Sequence, residues 1–455
     1  MFQLLYIFSV YVFNESMKRQ IDTLKLSRLI PSIREVFNKI PDNRQSDSAA
    51  LCYPVSDVLM SGLAMMTVQD PSMLEFQRRL ENSFGSNNLR SLFKVDKIPA
   101  ASQFRRILDH LDPNLVQEAF VTCLRKLQKT RLWSEYRVLN GRYAVLIDGS
   151  EYFRSNKRGC RNCREYHHRD GSVSYAHQIL AATLAHPTAK KPVPLLLEEV
   201  AVEDGVRKTD CEYNAACRLI PRITKQHPQM DIVYVADGLY SKAPFIKLIK
   251  ANNAGFIIVA NPADHTEMET NIAGLRKCGG VKSLEINLGQ GTKGLYEWAE
   301  NVELNGSTDV KINWISYTEA SAKGKVKYKN TWVTNLKPTK SNIEELVCVG
   351  RHRWQIENQV FDILKNHGYR LEHNYGHGKK KLSFIFIILN FLAYMLHQLA
   401  SLSDSLFQMA MEMTDKNYGL WADVKVILQY FVWDSWDSLW KHIIKSVEPS
   451  AFEYD

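Results

Sequence analysis

No cysteine framework, no single sign of charge and no repeated unit organises this chain. Eight cysteines are spread through 455 residues, and Cys52, Cys123, Cys211, Cys217, Cys278 and Cys348 stand alone. That pattern argues against a secreted disulfide scaffold and suits a reducing cytoplasm. The charge excess is mild: 58 Lys and Arg against 49 Asp and Glu give +9. Such a balance permits a polyanionic partner without demanding one. Low-complexity tracts and fixed-period repeats are absent. What is present is a globular composition, with 45% hydrophobic and 11% aromatic residues, which builds sizeable cores and leaves no case for wholesale disorder. The length allows two or three domains at about 100–200 residues each.

Long apolar runs are scarce too. "MFQLLYIFSVYVF" at 1–13 lacks a basic leader and a small-residue cleavage site, and it is short for a span of roughly 20 residues. Met17 then opens an ordinary soluble start, so residues 1–16 read as an extension from an upstream start codon or as a docked helix. "LSFIFIILNFLAYMLHQLA" at 382–400 is interrupted by Asn390 and His397, and polar groups are costly in mid-bilayer. A buried central helix explains the same composition, and no membrane partner is expected.

Residues 17–135 carry apolar side chains at helical spacing in four segments, punctuated by Pro54, Pro71, Pro99 and Pro113 near first turns. From residue 143 the period changes. "YAVLID" (143–148), 172–187 and 192–203 read as strands, and 210–227 as a helix with Asp210 as N-cap. "DIVYVADG" (231–238), "SKAPFIKLIKANN" and "GFIIVANP" (255–262) follow as strand, helix and strand.

Two of these strands end in Asp-Gly, at Asp148 and Asp237. One Asp-Gly is an ordinary turn, but two in one α/β body place carboxylates at neighbouring strand exits, about 5 Å apart. A third acid lies in "RHRWQIENQVFDILKNHG" (351–368), where helical spacing puts Trp354, Glu357, Val360, Phe361 and Leu364 on one face. A helix crossing the sheet would bring Glu357 to the two aspartates. Three hard carboxylates can hold two Mg²⁺ ions, with Mn²⁺ as a substitute, roughly 3.5–4 Å apart astride a phosphate. Arg353 and Lys365 would meet DNA phosphates beside them.

These residues together resemble the DDE transposases of bacterial insertion sequences. The likeness runs from about 26 to 400, most specifically through "LIDGSEYF", "VADGLYSKAPFI" and "RHRWQIENQVFDILKNHGYRLEHNYGHG". It implies an α/β fold: an RNase H-like mixed sheet flanked by helices, interrupted by a β-rich insertion, with an N-terminal helical domain. The expected division is 1–16 extension, 17–140 helical DNA-binding domain, 141–262 first part of the catalytic domain, 263–340 insertion, 341–400 final catalytic helices and 401–455 C-terminal helices. The related subgroup carries Tyr, two residues, Arg, three residues, Glu, six residues, Lys on its last catalytic helix. Here Arg353 and Glu357 match, Gly350 stands at the Tyr position, and Leu364 at the Lys position with Lys365 one further on. The resemblance implies catalytic and Mg²⁺-binding roles for Asp148, Asp237 and Glu357. It implies an enzyme that binds the terminal inverted repeats of its own element, frees a 3′-OH and joins it to target DNA. It also implies a homodimer or larger synaptic complex on double-stranded DNA in the bacterial nucleoid. A silent domesticated DNA-binding descendant, or another RNase H-like nuclease, is the alternative.

"GCRNCREYHH" (159–168) has the ligand types of a structural zinc site, with Cys160, Cys163 and one of His167 and His168; His177 and Cys211 are the nearest options for a fourth ligand. Its bland counterpart is a basic surface loop. Lys379, Lys380 and Lys381 form either a solvated cap or a phosphate contact. Related enzymes carry base-flipping or wedge aromatics, for which Trp314, Trp332 and Trp354 are candidates, but each is read first as a core residue; the aromatic stretch 430–445 is read as a helix packed on the body or on a second subunit.

Overall fold

The computed structural model describes residues 20–42, 44, 53–80, 83–157, 159–160, 162–188, 191–200, 211–414 and 417–447. The extension expected at 1–16 and the N-cap expected at Asp210 lie outside them. The N-terminal region contributes helices α1 (Leu26–Phe37), α2 (Val55–Thr67), α3 (Met73–Leu80), α4 (Ser83–Phe93), α5 (Ala101–Leu108) and α6 (Pro113–Gln128). The spacing of Leu26, Leu29, Ile30, Ile33 and Phe37 gives α1 one buried stripe. Helix α6 opens on Pro113 with Asp112 accepting from the Asn114 amide at 2.9 Å, a sequence-encoded start. Helices α4 and α5 escape the periodicity reading because they are short and rich in Asn, Ser and Arg.

Strand β1 (Arg137–Val138) leads into β2 (Arg142–Ser155), β3 (Arg164–His167), β4 (Val173–Ala185) and β5 (Val193–Val200). Then come α7 (Cys211–Gln226), β6 (Ile232–Ala236), α8 (Ala243–Ala251) and β7 (Gly255–Val259). β2, β4 and β5 pair antiparallel, whereas β6 runs parallel to β2 and β7 parallel to β6. The resulting order β5-β4-β2-β6-β7 is the RNase H-like arrangement.

The insertion begins with a helix, α9 (Thr266–Lys277), which the sequence reading did not resolve. It continues as β8 (Lys282–Gly289), β9 (Thr292–Leu304), β10 (Ser307–Ala320) and β11 (Val326–Thr334). These four strands do not form a sheet of their own. β11 pairs with β7 through Trp332↔Val259, Val333↔Ile258 and Thr334↔Ile257, so one ladder runs β3-β4-β2-β6-β7-β11-β10-β9-β8.

The chain then returns through α10 (Ile343–Arg351), a π-helical turn (Ile356–Phe361) and α11 (Asp362–Asn366) to α12 (Leu382–Ser403). Among the described residues α12 is the one helix long and apolar enough to cross a membrane, and it is buried in the protein. Its two polar interruptions each find a partner there. Asn390 donates to the Tyr369 carbonyl at 2.7 Å, and His397 meets the Tyr369 hydroxyl at 2.5 Å. Helix α12 packs on α2, α6 and β5 at once. The C-terminal helices α13 (Ser405–Met413), α14 (Asn417–Tyr430) and α15 (Trp436–Val447) close over its far end, with Trp421 stacked on His397 at 4.3 Å. Asn88 of α4 ties them down, donating to the carbonyls of Leu428 and Phe431 and accepting from the Trp433 amide. The aromatic C-terminal segment therefore packs on the body.

Candidate active site

Asp148 is not at a strand end. β2 runs on to Ser155, but its parallel pairing with β6 stops at Leu146↔Val235, after which only β4 is bonded to it. Two residues further in the same register lie Asp148 and Asp237. Asp237 stands just past β6, where its side chain accepts from the Leu239 amide at 2.9 Å and caps the short turn Gly238–Tyr240. The departure of the two chains at the end of parallel pairing opens the space between these acids.

The third acid arrives on an interrupted helix. Residues 351–368 are not one continuous α-helix: α10 stops at Arg351, and the His352 ring bonds back to the Cys348 carbonyl at 2.5 Å. The next turn is π-helical and holds Glu357. Ile356, Val360 and Leu364 become the buried stripe at four-residue steps, with Phe361 beside them. The wider turn changes the phase of the face. Trp354, read as core, is 42% exposed, whereas Trp314 and Trp332 are buried as expected. Trp354 borders a cavity with Tyr296, Tyr317, Arg351 and His352, between the insertion and the catalytic helix.

Arg353 joins the acids. Its guanidinium lies 3.2 Å from Asp148 Oδ2 and 2.6 Å from Glu357 Oε1. Burial opposes the charge of Arg353, but Asp148 and Glu357 outweigh it and raise its pKa. Asp148 is pushed up to about 7, first by burial and then by the charges of Glu357 and Asp237, with Arg353 acting the other way. Burial likewise raises Asp237, against the Leu239 amide and Arg353. A fourth carboxylate, Glu212 at the start of α7, was not foreseen. It accepts from Tyr240 Oη and Gln178 Nε2, both at 2.9 Å, and burial followed by repulsion from Asp237 contributes to raising its pKa. A Cβ at Gly149 would meet its carboxyl carbon at 2.8 Å, so glycine at this position admits Glu212 beside β2. Nothing in the strand and helix periodicity singles Glu212 out.

The other residues fall in separate places. Lys365 pairs with Glu372 at 2.9 Å, while Leu364, at the subgroup's Lys position, is fully buried. At the Tyr position, a Cβ on Gly350 would meet Trp332 Nε1 at 2.9 Å; the indole fills that space. Lys379 and Lys380 expose their side chains, and their amides, with that of Leu382, donate to the Asp109 carboxylate. The Lys381 ammonium is 2.8 Å from buried Glu199. His167 and His168 do not join Cys160 and Cys163: exposed His167 lies 3.7 Å from Glu165, and His168 bonds to Ser174 at 2.8 Å. The alternation of β3 and its turn directs both away from the thiols. Cys160 and Cys163 instead meet His177 and His377.

Fold and site together define an RNase H-like protein with a carboxylate trio at the centre of its sheet. Residues 206–396 match the family model of the transposase DDE domain, and over this part the chain is similar to DDE transposases. The matched span contains Asp237 and Glu357; Asp148 lies upstream of it. No curated protein matches the chain. The family acts on DNA and uses divalent metal ions.

Proposed function

We propose that this chain is a transposase that binds the terminal inverted repeats of its own bacterial insertion sequence as a homodimer or larger assembly, hydrolyses one strand to free a 3′-OH and joins that end to target DNA. The observation that carries this reading is the bridge from Asp148 through Arg353 to Glu357, which brings a helix and a strand 205 positions apart onto one acidic centre. The donor set fits hard divalent cations: three carboxylates with no thiol or imidazole in contact among the described residues. Asp148, Asp237 and Glu357 would hold Mg²⁺ or Mn²⁺, which supplies activation of the attacking oxygen and stabilisation of the leaving one.

The protein's own groups have distinct tasks. Arg353 neutralises Asp148 and Glu357 before ions enter, and must yield at least one of them when they do. It then remains beside the site as a phosphate-binding fork. Lys379 and Lys380 project unpaired by any described carboxylate and are the clearest phosphate contacts; Lys365 and Lys381 would have to exchange Glu372 and Glu199 for DNA. Glu212, held by Tyr240 and Gln178, keeps negative charge next to Asp237 and favours cation over anion there.

A cleavage and strand-transfer assay on DNA flanking the gene, with Mg²⁺ or Mn²⁺, tests the reading. Metal-dependent 3′-OH release and joining by the wild type, absent in Glu357→Gln, supports it. DNA binding by a folded protein without cleavage would favour a silent DNA-binding descendant. Cleavage without joining would favour another nuclease of the same fold.

A further inference from the structure

Four ligand atoms from three distant parts of the chain converge at one edge of the sheet. Cys160 and Cys163 leave the loop after β2, His177 points from β4, and His377 comes from the loop before α12. Their separations are 3.6 Å between the two sulfurs, 3.2 Å from Cys160 Sγ to His177 Nε2, 3.9 Å from Cys163 Sγ to His377 Nδ1, and 3.3 Å between the two ring nitrogens. A tetrahedral ion with metal–sulfur bonds of about 2.3 Å and metal–nitrogen bonds of about 2.0–2.1 Å requires edges of about 3.8, 3.6 and 3.3 Å for those same pairs. The observed edges fall within a few tenths of an ångström of that tetrahedron.

We infer that Cys160, Cys163, His177 and His377 form a closed structural zinc site. Both soft thiolates and both imidazoles suit zinc over the hard cations of the carboxylate centre. All four positions are filled by protein, so no coordination site is left for water or chemistry. The rings are held in advance: Tyr152 stacks on His177 with centroids 5.5 Å apart, and Phe153 meets His377 edge-on at 4.1 Å. Gly376 and Gly378 flank His377 at φ +129° and +66°, backbone that lets the loop turn the imidazole inward.

The ion would clasp positions 214 apart, closing a long loop whose entropy an unbridged chain would retain. It would fix the loop bearing Lys379 and Lys380 against the strand that pairs with Asp148. The site stands on its own geometry and does not depend on strand transfer.

Elemental analysis of the full chain, purified without chelator, tests it. One zinc per chain is expected, retained in Asp148→Asn, His167→Ala and His168→Ala and lost in His377→Ala. Replacing zinc by Co²⁺ should give the intense visible absorption of tetrahedral cobalt bound by thiolates, and Cys160→Ser should weaken its charge-transfer band. His377→Cys, which keeps a soft ligand, should retain the metal where His377→Ala unfolds. Two outcomes would overturn the site: a folded, zinc-free protein whose melting temperature is unchanged by added Zn²⁺, or a mass two hydrogens short that reveals a Cys160–Cys163 disulfide.

Discussion

At the scale of single residues, Asp148 and Arg353 set the behaviour of the centre. Asp148 has a folded pKa of about 7, raised from an ordinary carboxylate value near 4. A raised acid stabilises the fold below its unfolded pKa, and that contribution is lost as pH climbs through the folded one. In chelator, the protein should therefore lose melting temperature between about pH 4 and 7 from this group, and the increment given by Mg²⁺ should grow over the same window. Equal Mg²⁺ increments at both ends, read by calorimetry, would remove Asp148 from the metal site. Arg353→Ala strips a cation from two carboxylates and should cost about 2 kcal/mol in chelator, less with Mg²⁺ present. Urea titrations in the two conditions measure the difference. The aspartates were legible because each closed a short apolar run before glycine. Glu212 was not, since its place beside Gly149 is a product of packing. His377 was hidden by its distance along the chain, although the Gly-His-Gly surrounding it was an available sign of a constrained loop.

Elements tell a different story from the residues they carry. The helix bearing Glu357 was found from its apolar spacing, yet its phase was misjudged because a π-turn adds a residue that an α-helical projection cannot anticipate. That is why Trp354 emerged at the surface. Trp354→Ala should leave the unfolding free energy within about 0.5 kcal/mol of wild type while altering the handling of DNA ends, a separation that calorimetry and the strand-transfer assay can test. Gly350→Tyr, which restores the residue of the related subgroup, should destabilise by at least about 1–3 kcal/mol because Trp332 already fills the space. A stable variant would show that the indole moves freely. The strands of the catalytic sheet read clearly because they are continuous apolar runs; β1 and β3, two and four residues long, gave no such signal.

At the scale of the whole molecule, packing ties the expected regions together. The N-terminal helices, the sheet and the C-terminal helices share α12 and one contiguous hydrophobic core. Pattern analysis marks where elements change type, but it cannot see that one buried helix serves all three regions. A fragment spanning 141–400 would expose the faces of α12 that α2 and α6 cover, and it should aggregate or lack a cooperative transition. Independent folding of that fragment, by calorimetry and amide exchange, would support a division into separate domains.

The continuity of the sheet has a mechanical consequence. Hydrogen bonds join β8 to β9, β9 to β10, β10 to β11, β11 to β7 and β7 to β6 in series, so one ladder runs from the insertion to the strand leading to Asp237. Force applied by a bent duplex at the insertion would travel through that ladder as through a beam. The insertion is thus coupled through hydrogen-bonded strands to the strand leading to Asp237, and a displacement of one would be felt by the other.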